Sequence, residues 1–198
     1  EDVVTYPGDT AVTDVASPPA EVGVADATGQ ADLRIDDFED GDDAPLIPGG
    51  WYVYTDGANG GASTLRVGEA GAKSLTMIGE GHNSKHSLEA VYTFDQAELP
   101  YTPYVGLGVG LGSKTAPMDF SPYLALSYTY RGGAHRVRIQ TFDVDDYDFH
   151  GFEVPESATW KTVTVPFRLL TQEGFGAPTP FDPKHIDSIS WQMRGDTD

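Results

Sequence analysis

From Leu33 onward, apolar and polar positions alternate in short runs: "WYVYT", "STLRV", "KSLTMIG", "SLEAVYTF", "YVGLGVGLG", "YLALSYTY", "HRVRIQTF", "FHGFEV", "KTVTVPF" and "IDSISWQM", broken by Gly, Pro, Asn and Asp. A period of two belongs to strands with one buried face, and many short strands at this spacing predict an all-β fold, a β-sandwich. A helical period is nowhere sustained. Its one candidate, "FRLLTQEGF", is limited by Gly174 to a turn or two. "YTYRGGAHRV" predicts a hairpin, with Gly132 and Gly133 supplying the positive φ of a two-residue turn. Residues 1–31 differ, because Ala, Val, Thr, Asp, Gly and Pro dominate and no large apolar residue follows Tyr6. They read as an extended acidic arm or linker, with the sandwich spanning residues 32–198. Within the arm, "VVTY" at residues 3–6 has the propensity to pair with an exposed sheet edge.

A chain of 198 residues suits one large domain. Its 31 acidic residues against 12 basic ones give a formal charge of -19, which argues against a nucleic-acid backbone as partner and favours a neutral partner or a cation. The absence of cysteine removes disulfides and thiolate metal sites, so core burial holds the fold, and any metal would have oxygen ligands. No apolar run approaches the ~18 residues that span a bilayer. The first residue is Glu, which reads as a processed or trimmed chain, and the acidic, cysteine-free makeup suits a secreted or cell-surface protein.

"RIDDFEDGDDAP", residues 34–45, sets six carboxylates (Asp36, Asp37, Glu39, Asp40, Asp42 and Asp43) against Arg34. Two readings stand: a solvated acidic turn, or a seat for Ca²⁺, which takes about six to eight oxygens. On a strand, Asp37 and Glu39 would share one face while Phe38 turned into the core. Neither "DDFEDGDD" nor "DVDDYDFHG" has the EF-hand spacing. Asp56, Asn59 and Ser63 in "TDGANGGAS" form a second oxygen-rich loop, of ligands or of turn residues. Glycoside hydrolysis needs two carboxylates about 5–10 Å apart, one with a raised pKa, and a chain this acidic supplies such pairs by chance. No nucleophile elbow, HExxH or phosphate loop is present. His82 and His86 in "HNSKH" are four apart in a strand-like context, which makes no helical metal pair. The chain is expected not to be an enzyme. "RGD" at residues 194–196 is too short to carry weight.

Several longer words, taken in order, resemble the family 11 carbohydrate-binding modules and related jelly-roll, galactose-binding-like domains of secreted bacterial proteins. They are "LRIDDFEDGD" as a first strand, "GGWYVYTDGANGGAS" as the next strand and loop, "PESATWKTVTVPFRLL" leading into "TQEGFG", and "FDPKHIDSISWQM". The resemblance covers roughly residues 33–193. It implies a two-sheet jelly roll, structural calcium held by Asp37, Glu39 and Asp56, and a concave sheet face that accepts a β-glucan chain. Such modules close with one more strand after the position of "WQMRGDTD", so the fold is expected here without its final strand. Unpaired strand edges call for a partner. That partner is a stretch outside this chain, the arm folding back, or the arm of a neighbouring subunit. The last option gives an alternative function, a structural subunit of an extracellular fibre or surface assembly that self-assembles by strand donation.

Neutral polysaccharides are held by aromatic faces, with planar amides, carboxylates and Arg bonding the hydroxyls. Trp51 and Trp160 lie in apolar strand contexts and read as core. The carbohydrate-binding candidates are Arg136, Arg138 and Gln140, which alternate with Val137 and Ile139, then Tyr147 and His150 in "DDYDFH", with Gln172, Phe175 and Gln192 bordering the same face. For Arg138 and Gln140 the other reading is a solvated outer sheet face. The expected function is a non-catalytic module that binds a β-glucan-type polysaccharide, with calcium as its cofactor.

Overall fold

The structure is a computed structural model that describes residues 22–26, 33–39, 44–67, 81–82 and 86–195. Its strands are β1 (Val22–Asp26), β2 (Leu33–Asp36), β3 (Gly50–Thr55), β4 (Thr64–Val67), β5 (Ala90–Thr93), β6 (Tyr104–Gly110), β7 (Tyr123–Gly132), β8 (His135–Thr141), β9 (His150–Val154), β10 (Ser157–Pro166) and β11 (Ile186–Arg194). Sheet A has the order β10-β7-β1-β2, sheet B the order β3-β6-β11-β8-β9, and β4 pairs with β5 as a ribbon. The chain crosses between sheets from β2 to β3, β6 to β7, β7 to β8, β9 to β10 and β10 to β11. This is the expected all-β, two-sheet sandwich of jelly-roll type.

Period-two patterning builds the core. On β11, Ile189 and Trp191 turn inward; on β8, Val137 and Ile139 do so; Val109 on β6, Leu126 and Tyr128 on β7, and Val165 on β10 close the layer. Each fully buried aliphatic side chain of this kind stabilises the fold by about 1.5–3 kcal/mol. Trp51 belongs to the same cluster, stacked on Trp191 at 5.8 Å, as its sequence context predicts. Trp160 is only half-buried, with the Arg131 guanidinium 5.1 Å above its ring.

Three expectations change. The Gly132–Gly133 turn is no hairpin: β7 lies in sheet A and β8 in sheet B, so the two strands face each other across the core, with the Tyr128 hydroxyl 2.7 Å from His135 Nε2. Pairing between them is blocked because β7 already lies between β10 and β1, and β8 between β11 and β9. Next, β1 falls within the segment read as an arm, so the sandwich begins upstream of the boundary set at residue 32. Residues 22–26 pair on both sides, with β2 and with β7, which is the arm folding back in its own chain. "VVTY" and "KSLTMIG" lie outside the described residues. "FRLLTQEGF" gives a single 3-10 turn, Phe167–Leu169, whose Phe167 packs on Phe120 and Phe181. Finally, β2 ends at Asp36, which accepts bonds from the Phe38 N–H (2.9 Å) and Trp51 Nε1 (2.7 Å). That local turn puts Phe38 at φ 60°. Phe38 does reach the core, 5.4 Å from the Trp51 ring, but from a turn and not from a strand.

Candidate functional site

The outer face of sheet B carries the chemistry. Antiparallel register sets its side chains in rows across the strands: Tyr52, Gly108, Ser190, Arg138 and Gly151 in one, and Tyr54, Gly106, Gln192, Arg136 and Glu153 in the next. A third row holds Gly110, Ser188 and Gln140.

The β3 side of this face is aromatic because β6 has glycine at successive outward positions. A Cβ on Gly106 would lie 2.2 Å from Tyr54 Cζ, and one on Gly108 would lie 2.5 Å from Tyr52 Cζ. The two tyrosine rings lie over the bare β6 backbone. Tyr52, Tyr54, Tyr104 and Tyr101 follow one another at centroid distances of 6.2, 6.3 and 6.4 Å. Gln140 Nε2 donates to the Tyr52 hydroxyl (3.3 Å) and to Ser190 Oγ (3.0 Å), and Asn59 Nδ2 donates to the Tyr104 hydroxyl (2.7 Å). Burial raises the pKa of Tyr52 and of Tyr104, so both remain neutral phenols. The buried Tyr54 hydroxyl has no hydrogen-bond partner among the described residues.

The β8 side is ionic. Arg136 and Arg138 are 5 % and 8 % exposed, which rules out a solvated outer face. Arg136 Nη1 donates to Glu153 (3.0 Å) and Nη2 to the Thr171 carbonyl. Arg194 grips both oxygens of Glu173 at 2.5 and 2.6 Å and bonds Gln192 Oε1. The Arg194 bond to Glu173 holds that carboxyl below the usual range and raises the guanidinium's own pKa. Arg138 Nη2 donates to the Tyr147 carbonyl (2.7 Å), and its Cζ sits 5.0 Å from the Phe149 ring centre. Asp187, beside Ser188, has a pKa raised by burial.

Two loops wall this side. Asp148 is buried and accepts the N–H groups of Glu173 (2.8 Å), Gly174 (2.9 Å) and Gly176 (3.0 Å). Asp146 accepts the N–H of Ala177 (2.5 Å). Thus the segment around residues 143–149 is tied to that around 171–177. Each loop presents one exposed ring: Tyr147, 73 % exposed and held at φ 67°, and Phe175, 65 % exposed.

Of the sequence candidates, Arg136, Arg138, Gln140 and Gln192 come together on the face, and Tyr147 and Phe175 stand on its rim. Gln172 is spent within its loop, donating to the Asp148 and Ala177 carbonyls and accepting the Thr179 N–H. His150 faces the other way. Its register partner is the core residue Ile139, and its ring lies 5.4 Å from Phe181. Sequence reasoning missed Tyr52, Tyr54, Tyr104, Glu153, Glu173 and Arg194. The signal was present in "WYVYT" beside "YVGLGVG", where tyrosines and glycines share a period of two.

The calcium ligands read from the resemblance do not fit one ion. Asp56 is fully buried, and its carboxylate accepts Ser63 N–H (3.0 Å), Ser63 Oγ (2.6 Å) and Tyr104 N–H (3.1 Å). It sits at the far end of β3 from Trp51, where Asp36 is bound, about 16 Å of strand away. Asp37 pairs with Arg34 at 2.9 Å, and Glu39 accepts the His86 N–H. The metal-type grouping found among the described residues is elsewhere: Asp143, Asp182 and His185, with His185 Nδ1 2.9 Å from Asp143. A cavity of about 200 Å³ between the sheets is lined by Trp51, Trp191, Tyr128, Tyr130 and Trp160. Its Tyr128 hydroxyl is already bonded to His135, which leaves it poorly suited to a hydroxyl-rich ligand.

No family model matches the chain. A curated relative, Endoglucanase 3 of Fibrobacter succinogenes, is 40 % identical over 185 residues, covering 93 % of this chain. Two solved structures are similar, both from the family that the sequence words resemble. One is the family 11 carbohydrate-binding module of the cellulosomal cellulase Lic26A-Cel5E of Clostridium thermocellum, at 19 % identity and a TM-score of 0.49, covering 76 % of this chain and 81 % of that one. The other is a Clostridium thermocellum family 11 module in complex with a β-1,3-1,4-mixed-linked tetrasaccharide, at 19 % identity and a TM-score of 0.47, covering 89 % and 87 %. This chain spans 28 % of the length of the Fibrobacter endoglucanase, to a segment of which it is related.

Proposed function

We propose that the chain is a non-catalytic carbohydrate-binding module of a secreted polysaccharide-degrading enzyme and holds a β-glucan-type chain on the outer face of sheet B. The observation that carries this is the tyrosine floor laid over the β6 glycines beside buried planar donors. Pyranose C–H faces stack on such rings, while the amide and guanidinium groups bond ring hydroxyls. The kinship with an endoglucanase supports a glucan as substrate class. A hydrolytic reading is weaker on this face: burial raises the pKa of Asp187, as a general acid needs, but the carboxylates that would have to act with it are engaged, Glu173 held ionised by Arg194 and Glu153 bonded to Arg136.

Native gels containing lichenan, barley β-glucan or hydroxyethylcellulose test the reading. Retardation is expected in at least one gel, little changed by salt and lost in Tyr52→Ala/Tyr54→Ala; free migration in all three would reject it. Calcium at the acidic stretch, with Asp37 and Glu39 but without Asp56, is a separate proposal. A melting temperature lowered by EDTA supports that ion, and an unchanged melt removes it.

A further inference from the structure

On the β8 side of the face three guanidiniums, Arg136, Arg138 and Arg194, meet two carboxylates, Glu153 and Glu173. The carboxylates are already used: Glu153 by Arg136 and both oxygens of Glu173 by Arg194. Arg138 has no carboxylate within ion-pair distance among the described residues. Of its five N–H donors one, on Nη2, has an acceptor, and its buried Nε has none. Holding the Tyr147 carbonyl needs only a neutral donor. The Phe149 ring 5.0 Å from its Cζ and, at longer range, Glu173 offset part of the charge, but no carboxylate pairs with it directly, and burying a cation without an ion pair is costly.

From this we propose, building on the glycan-binding reading above, that Arg138 marks a subsite for an acidic sugar, the carboxylate of a uronic acid residue within or branching from the bound polysaccharide. Tyr147, whose carbonyl Arg138 holds, carries an exposed ring beside this subsite for the sugar's apolar face. A planar guanidinium matches a carboxylate with two parallel bonds, which a hydroxyl pair reproduces less strongly. The formal charge of -19 opposes an acidic ligand from afar, but at ordinary ionic strength that field is screened beyond about 8–10 Å. At contact distance the nearest charge is Arg138.

The test is isothermal titration of the whole chain with two probes of one backbone: cellotetraose, and cellotetraose with one glucose oxidised at C6 to glucuronic acid. The acidic probe is expected to bind about tenfold tighter or more. Arg138→Gln should abolish that preference, and Arg138→Lys should retain part of it, a distinction that a merely structural role for Arg138 does not make. Equal affinities in the wild-type chain, or tighter binding of the neutral probe, overturn the acidic subsite and leave the glycan-binding reading intact. Binding of neither probe overturns the acidic subsite, and the glucan gels then decide the glycan-binding reading on their own. The wild-type ratio decides the matter even if the Arg138 variants do not fold.

Discussion

Replacing Asp148 by Asn tests whether one carboxylate builds the rim of the face. Both of its oxygens are occupied, one by the N–H of Glu173 and the other by those of Gly174 and Gly176, and the side chain is 1 % exposed. Asn keeps one acceptor. In its better rotamer it retains the two glycine bonds in weaker, neutral form and turns an NH₂ toward the Glu173 N–H, donor against donor. A bond to a charged group contributes about 1.5–3 kcal/mol and a neutral one about 0.5–1.5. One charged bond lost and two weakened come to about 5 kcal/mol. For a domain of this size that corresponds to a fall in melting temperature of about 10–20 °C, read by calorimetry. Affinity for a soluble β-glucan should fall with it, because Tyr147 and Phe175 ride on the two loops that Asp148 joins. A melting temperature within about 2 °C of wild type, with affinity unchanged, would refute the reasoning and show that the loops are held by other contacts.

Gly106→Ala places a methyl 2.2 Å from Tyr54 Cζ; the ring must swing away, so glucan retention should drop while circular dichroism stays β-type. Retained affinity would separate the tyrosine floor from binding. Asp148 and Glu173 set the acid limit. Burial alone would raise the Asp148 pKa, but its three N–H bonds hold it below the ordinary value, and the bond from Arg194 does the same for Glu173. Groups with lowered folded pKa values add stability that is complete above the unfolded value near 4 and is lost as pH falls through the folded value. Burial also lowers the pKa values of His135 and His150, so the unfolded chain takes up protons first, and the melting temperature should begin to fall below about pH 6.5 and fall further below pH 4; a flat profile down to pH 3 would contradict this. Deleting residues 1–26 removes β1 from between β2 and β7 and is expected to leave a chain with no cooperative melt; a wild-type transition would show sheet A to be complete without β1.

The all-β class and most strands were legible because burial of one face writes a period of two into "HRVRIQTF" and "IDSISWQM". The same period found Arg136, Arg138, Gln140 and Gln192. What it could not show is which strands pair, since pairing depends on neighbours distant in sequence. The glycine turn at 132–133 therefore read as a hairpin when it is a crossing between sheets. His150 lies in a strand whose register is set by β8, and a shift of one residue exchanges the faces. Asp56 read as a metal ligand because composition shows a carboxylate but not the donors that the fold brings to it. Tyr52 and Tyr54 were missed for a different reason. Their role is created by an absence, the missing side chains of Gly106 and Gly108 one strand away.

The place of β1 also sets a timetable for synthesis. Its partner β2 follows within a few residues, but β7 lies about 100 residues later, so a ribosome adding about 5–20 residues per second leaves one edge of the β1–β2 pair bare for about 5–20 s. During that interval the edge is open to any extended segment, including the same pair on the next nascent chain. The repulsion among chains of such high negative charge is then a safeguard during biogenesis, keeping neighbours apart until β7 emerges to close the sheet.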